Sequence, residues 1–319
     1  MRNVLYRVRV SRIITIVAAV AVCRVANAQY DPSFSHYFDM EALFNPAAVG
    51  KDPVINAVGA YNISMAGFER NPQTAAVAVD MPFRFVNRTH GAGVQLVSDN
   101  IGLFNHQKLS LQYAFQAKLF GGTISAGVQA GFLSEKLSSS EIDLEDSSDP
   151  AFASADASGA QIDFAAGVYW RNKSWYVGAS AQHLAAPTVK IGETNELEID
   201  RTYYLTCGYN IKLRNPLLSV RASALGRTDL KGWRADATAR LVYTHDKKVM
   251  YCGLAYSPAV SATVLVGGSF HGVMLGYSYE AYTNGINLAN GSHELFVGYK
   301  ADIDLGKKGR NKHQSVRLL

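Results

Sequence analysis

Beyond residue 28 this sequence has no apolar run of the roughly 20 residues that a helical membrane span needs. That excludes a helical membrane protein. It does not exclude a strand-built one, because strands with one greasy and one wet face dilute their own hydropathy. Cysteine is scarce, three in 319 residues, and only Cys207 and Cys252 lie beyond residue 28. One pair is no disulfide framework, so two free thiols are expected. Both stand on the apolar parity of their segments and should face lipid. Charge of one sign is also lacking, with 31 Lys and Arg against 26 Asp and Glu. The small basic excess would suit nucleic acid in a cytosolic chain, but an exported chain meets none.

Catalytic motifs are missing too. Gly276-Tyr277-Ser278-Tyr279-Glu280 ends in the wrong residue for a nucleophile elbow. His293-Glu294 is followed by Leu295, Phe296 and Val297, so no H-E-x-x-H exists, and there is no C-x-x-C or Walker loop. His183, on apolar parity after Ala181, has no serine beside it and reads as a histidine near the interface on the loop side. The acidic cluster Glu141, Asp143, Glu145, Asp146 and Asp149 puts Ser148 where a calcium loop needs glycine and Ser154 where it needs glutamate. It reads as a solvated or partner-facing loop. No enzyme activity, cofactor or metal is expected.

What is present begins with a leader. Arg2, Arg7, Arg9 and Arg12 precede the apolar run Ile13 to Cys23, and Ala26-Asn27-Ala28 is an A-x-A cleavage site. Residues 1–28 therefore read as a signal peptide. Val22 is too bulky for a lipoprotein site at Cys23.

From Val54 onward, apolar residues recur at every second position, the period of a strand. Leu109, Leu111, Tyr113, Phe115, Ala117 and Leu119 alternate with Lys108, Ser110, Gln112, Gln116 and Lys118, and a second such run follows Gly121-Gly122. Further segments are Val54–Tyr61, Thr74–Phe83, Gly91–Ser98, Ile162–Trp170, Trp175–His183, Tyr203–Leu213, Leu217–Leu225, Ala235–Thr244, Met250–Tyr256, Ala262–Phe270, Val273–Tyr279 and His293–Ile303. About fourteen segments is an even number, as single-chain outer-membrane barrels require. A soluble β-sandwich would also alternate, but a closed barrel alone spans lipid without exposed edges.

The fold expected is thus all-β, an antiparallel transmembrane β-barrel of about 14 strands. Short turns at Gly121-Gly122, Arg171–Ser174, Arg214-Asn215, His245–Lys248 and His271-Gly272 alternate with longer loops at Ile63–Gln73, Asp99–His106, Lys136–Gln161, Ala185–Asp200, Arg227–Arg234 and Tyr282–Gly291. With short turns in the periplasm, both termini are periplasmic. The lumen parity carries Asp80, Lys108, Lys118, Asp163, Arg221, Asp236, Arg240, Glu280, Glu294 and Lys300. Mixed signs suggest salt bridges that hold strands in register, whereas an ion-selective pore would show rings of one sign.

The chain then divides into a signal peptide (1–28), a periplasmic N-terminal segment (29–53), the barrel (54–304) and a basic periplasmic tail (305–319). Phe34, Tyr37, Phe38, Leu43 and Phe44 are too apolar for a solvated linker, Asn45-Pro46 breaks regular structure, and Gly50 permits a turn. The segment is either a plug in the periplasmic mouth or lumen, or a lead-in to the first strand.

That segment, QYDPSFSHYFDMEALFNPAAVG, resembles the mature N-terminus of the PorP/SprF family of Bacteroidetes outer-membrane proteins. The resemblance lies in Gln29, Asp31, Pro32, Phe34, Ser35, Tyr37, Asn45, Pro46, Ala47 and Gly50. Pro72 and Thr74 look like the family's P-x-T loop end, and Asp99 to Gly102 like its D-x-x-G loop. Gly276-Tyr277-Ser278-Tyr279 with Ser292-His293-Glu294-Leu295 looks like its closing motif. Asn62, Met65 and Glu280 depart from the pattern. The resemblance implies a non-catalytic barrel of type IX secretion, the pathway of exported surface proteins and, in some relatives, of gliding adhesins. The implied partners are periplasmic ring proteins and a peptidoglycan-binding lipoprotein, or the C-terminal domain of a secreted adhesin. Asp31, Pro32, Phe34, Ser35, Tyr37, Asn45, Pro46, Gly50, Pro72, Thr74, Gly102, His293 and Glu294 are the candidate contact residues. The alternative is an outer-membrane porin or small-solute channel.

Overall fold

The computed structural model describes residues 30–138, 157–191, 195–246, 248–283 and 290–304. The expected signal peptide, the acidic cluster of residues 141–149 and the basic tail lie outside them. The strands are β1 (Val54–Ile63), β2 (Gln73–Phe85), β3 (Arg88–Ile101), β4 (Phe104–Leu119), β5 (Gly122–Leu137), β6 (Ala157–Arg171), β7 (Trp175–Gln182) and β8 (Thr188–Ile191). They continue with β9 (Asn195–Glu198), β10 (Thr202–Lys212), β11 (Leu218–Thr228), β12 (Trp233–His245), β13 (Lys248–Ser257), β14 (Ser261–Phe270), β15 (Val273–Tyr282) and β16 (Ser292–Asp302). All but β8 and β9 close into a fourteen-strand barrel, each strand antiparallel to its neighbours. β1 seals against β16, from Val54 opposite Asp302 to Ile63 opposite His293.

The wall is apolar outside and polar inside. Along β4, Lys108, Ser110, Gln112 and Gln116 are buried, while Leu109 is 51% and Leu111 68% exposed. A water-soluble sandwich buries the opposite set, so this burial pattern fits a lipid-facing wall. Cys207 on β10 and Cys252 on β13 are free and exposed, on strands that are not neighbours.

At one end, the turn end, β1 starts and β16 finishes. Its connections are tight. Phe120 and Gly121 have φ of 51° and 70°, and His271 and Gly272 of 48° and 88°. That is the φ pattern of a two-residue type I′ hairpin, whose twist matches that of its strands. The turn is therefore Phe120-Gly121, not Gly121-Gly122, and Gly122 pairs with Leu119.

The other, loop end is less open than expected. Asp99–His106 is no long loop, because β3 and β4 continue through Asn100 opposite Asn105 to Ile101 opposite Phe104. Apolar alternation stops where the lipid stops, while backbone pairing goes on. In the Ala185–Asp200 loop, β8 and β9 form a hairpin that folds inward. It buries Val189, Ile191 and Ile199 with Leu133 under the loop-end mouth.

Candidate functional site in the barrel lumen

Tyr30 to Gly50 lies inside the barrel. Tyr30 sits at the loop end, where its hydroxyl donates to Glu135 and its ring contacts His106 and His183 edge-on. Gly50 to Asp52 lies at the turn end, where Asp52 pairs with Arg171 at 3.1 Å. The described chain starts at the loop end, traverses the lumen, and only then enters β1 at the turn end.

Irregular backbone inside a barrel needs a partner for each polar group. The wall side chains supply them. Arg227 Nη1 donates to the carbonyls of Asp31 and Pro32 at 2.9 and 3.1 Å, and Asn62 to that of Ser33 at 3.3 Å. Gln112 donates to the Ala42 carbonyl at 2.7 Å, Ser180 and Gln182 to that of Phe44 at 2.6 and 2.9 Å, and Gln116 to that of Gly50 at 2.7 Å. Glu294 accepts the Ser35 and His36 backbone N–H groups at 2.6 and 2.9 Å, and Asp80 accepts the Gly50 N–H at 2.8 Å. The segment makes short 3-10 turns at Tyr37–Asp39, Glu41–Leu43 and Pro46–Ala48. Asn45 starts the last one, its side-chain oxygen accepting the Ala47 N–H at 2.9 Å, with Pro46 at the first position. Proline suits that place because its missing N–H would be unsatisfied there anyway.

The side chains of the segment build apolar clusters with the wall. Met40 packs with Val58, Ala76, Ala78, Met274 and Phe296, and Tyr37, Phe38 and Phe44 with Tyr204, Leu225 and Leu265. Wall glycines make room for its backbone. A Cβ at Gly127 would lie 2.4 Å from the Ala47 nitrogen, and one at Gly91 would lie 2.1 Å from the Val49 oxygen. Glycine inside a strand commonly marks such a close approach.

Two side-chain latches hold the start of the segment. His36 and Glu294, both buried, meet at 2.6 Å, and the His36 ring stacks on Phe296. At the loop end His183 Nε2 lies 3.1 Å from Asp31, and its Nδ1 lies 3.0 Å from Asp163. Asp31 also accepts from the Tyr204 hydroxyl at 2.6 Å. Burial alone would raise the Asp31 carboxyl, but His183 and Lys108 outweigh it and hold it well below the usual carboxylate range. Burial would lower His183, yet Asp31 and Asp163 push it up to about 9. His183 thus faces inward, not toward lipid as its parity implied. Its φ of 55° breaks the alternation just past the end of β7.

The profile of the type IX secretion system membrane protein PorP/SprF matches residues 26–299. The chain belongs to the PorP/SprF family. No curated protein matches the sequence significantly. Among solved structures, the monoaromatic hydrocarbon channel CymD is similar, with a TM-score of 0.51 and 12% identity over 84% of this chain and 94% of that one. The Pseudomonas putida toluene transporter TodX is similar at 0.49 and 11%, over 86% of this chain and 95% of that one. At such identity these likenesses concern the fold alone. Family and fold together make this PorP/SprF chain an integral outer-membrane barrel, and neither belongs to an enzyme class.

Most of the candidate residues of this PorP/SprF chain converge. Asp31, Pro32, Phe34, Ser35, Tyr37, Asn45, Pro46 and Gly50 all lie in the lumen segment. Tyr37 Oη bonds Ser223 and Thr238 at 3.0 and 3.1 Å, and Phe34 packs at the Met40 cluster. Glu294 joins them from β16. The others stand apart. Pro72 accepts from the Ser64 N–H, Thr74 bonds Asp99 at 2.6 Å, Gly102 makes a tight turn, and His293 meets Tyr277 on the outer face. Of the lumen charges expected to bridge strands, Asp80, Arg240 and Glu294 grip the segment instead, while Asp163 pairs with His183 just past β7. Asp236 and Glu280 do pair within the wall as expected, both with Arg234. Sequence reasoning missed His36, Arg227, Tyr204 and the lumen glutamines, whose signal was the run of Gln on the wet parity of β4 and β5.

Proposed function

We propose that this protein is a plugged, non-catalytic outer-membrane component of type IX secretion, which couples the machine or holds an exported surface protein at the outer membrane. The observation that supports this reading is the lumen occupied from one end to the other by Tyr30–Asp52. A solute channel works by a free path, whereas a scaffold works with its bore filled. In this reading residues 1–28 are a signal peptide, 29–53 the plug, 54–304 the barrel and 305–319 a periplasmic tail. The source is a Bacteroidetes cell, where gliding is one use of the pathway. Barrels of this kind carry their longer loops outside, so the segment enters from the outer surface and β1 begins at the periplasm. The loop end then meets a secreted adhesin's C-terminal domain. The turn end and tail meet ring proteins and a peptidoglycan-binding lipoprotein.

Two measurements test it. In planar bilayers the purified full chain is expected to pass no steady current. Mild-detergent purification from native outer membranes is expected to retain either a large exported protein or ring components, identified by mass spectrometry. Steady conductance with no retained partner would replace this reading by that of a porin.

A further inference from the structure

We infer that the turn-end mouth of the barrel binds the carboxylates of an acidic polypeptide through Arg221, Arg240 and Lys173. This names a partner chemistry and rests on the reading of the protein as a partner-binding barrel. The decisive feature is a like-charge pair. Arg221 on β11 stands directly opposite Arg240 on β12, both on the lumen parity. Like charges directly opposite on a sheet repel. Arg240 is buried over the Phe38 ring at 3.3 Å, and its carboxylate partner, Asp39, is as far as 3.8 Å. The Nε atoms of both arginines are buried with no hydrogen-bond partner.

The cationic sector continues sideways. Asn210 pairs with Arg221 on the other side, and its Oδ1 also lacks a partner. Its backbone N–H bonds the Ser174 carbonyl at 2.7 Å, which brings Lys173 alongside. These residues, with Lys300 of β16, line one cavity of ≈ 280 Å³ at the turn end. Of the carboxylates that share it, Asp39 reaches Arg240 only at 3.8 Å, and the others are engaged elsewhere: Glu41 by Lys51, Asp52 by Arg171, and Asp80 by Gly50 and Asn56. Among the described residues none pairs with Arg221, Lys173 or Lys300. Two guanidinium groups half out of water that share one distant counter-ion, Asp39 on Arg240, are costly, and a further carboxylate offers them paired, charge-assisted bonds.

The occupant is a polypeptide for two reasons. The cations face the lumen, so lipid phosphates lie beyond the wall. Arg221 and Lys300 stand on β11 and β16, five steps along the wall at about 4.8 Å each. One small anion does not reach both, whereas an acidic segment does.

The test uses the full purified barrel in detergent and a fluorescein-labelled hexaglutamate peptide, with hexaglutamine as control, read by anisotropy. Hexaglutamate is expected to bind, more weakly as salt rises, and hexaglutamine not to bind. Arg221→Gln with Lys173→Gln should weaken binding by at least about tenfold, while the variant keeps the gel mobility shift of a folded barrel. Arg221→Lys, which keeps the charge, should lose less. Absence of hexaglutamate binding, or binding unchanged in the double variant, would overturn the inference. So would equal displacement by millimolar inorganic phosphate, which would mean a small-anion site. Conductance separates the two readings. A silent barrel that ignores the peptide refutes this inference alone, and a conducting barrel that binds it refutes the plug alone.

Discussion

Ser35 and Glu294 lie 259 residues apart in the chain and meet inside the barrel, where Glu294 Oε2 accepts the Ser35 backbone N–H at 2.6 Å. The same carboxylate takes the His36 N–H and ring Nδ1. One acidic residue on the closing strand thus satisfies three donors of the first described turn of chain. The closing strand and the lumen segment are thereby one unit.

Glu294→Ala should release that turn. It strands two buried backbone N–H groups and the His36 ring, at a cost of about 2–4 kcal/mol for unsatisfied buried donors. Protease should then cut between residues 30 and 40 in the folded barrel, and thermal unfolding should move down. Glu294→Gln, which keeps an acceptor, should lie between. A protease pattern identical to that of the parent in both variants would contradict the role given to Glu294.

Gly127→Val should expel the segment without opening the wall. The new side chain would occupy the space of Pro46 and Ala47, and neither has room to retreat, since both are buried. A folded barrel with new conductance is expected. Ala126→Val, one residue away and facing lipid, is the control and should stay silent. Silence in both would show that the segment does not block the bore.

The strand count was legible because lipid and lumen impose a period of two that no turn interrupts for long, as Leu109 to Leu119 illustrates. The ends were not. Asn100 and Asn105 continue the ladder in water, where hydropathy no longer marks a strand. Hairpin β8–β9 is too short for alternation to rise above chance. The apolar residues Phe34 to Phe44 showed that the segment needs cover, but not which wall covers it. That depended on distant polar partners such as Gln112 and Arg227. His183 was misread because a single positive φ reverses the face that parity assigns.

Cys207 and Cys252 offer a direct check on the wall. Both are free, exposed and on separate strands. In liposomes they should react with a membrane-permeant apolar maleimide and resist a charged one, and oxidant should not join them within one chain. Rapid labelling of either by the charged reagent in the intact membrane would place that strand face in water and overturn the lipid-facing assignment.

The latch between Asp31 and His183 gives a pH signature whose sign follows from the two shifts. His183 is raised from its usual 6.5 to about 9, so the stability it contributes is complete below about 6.5 and is lost as pH rises through 9. The shift corresponds to about 3 kcal/mol at most. Asp31 is depressed below its usual 3.8, so its contribution holds above about 3.8 and is lost as pH falls below that. The latch is therefore tightest between about pH 4 and 6.5 and weakens on both sides. The apparent thermal midpoint should decline from neutral pH to pH 9.5 in the parent protein. His183→Gln should start lower and lose that alkaline decline, because the group that titrates is gone while a polar partner for Asp31 remains. An alkaline decline that persists unchanged in His183→Gln would assign it to another group, and would remove the Asp31–His183 pair as the lock on the start of the segment.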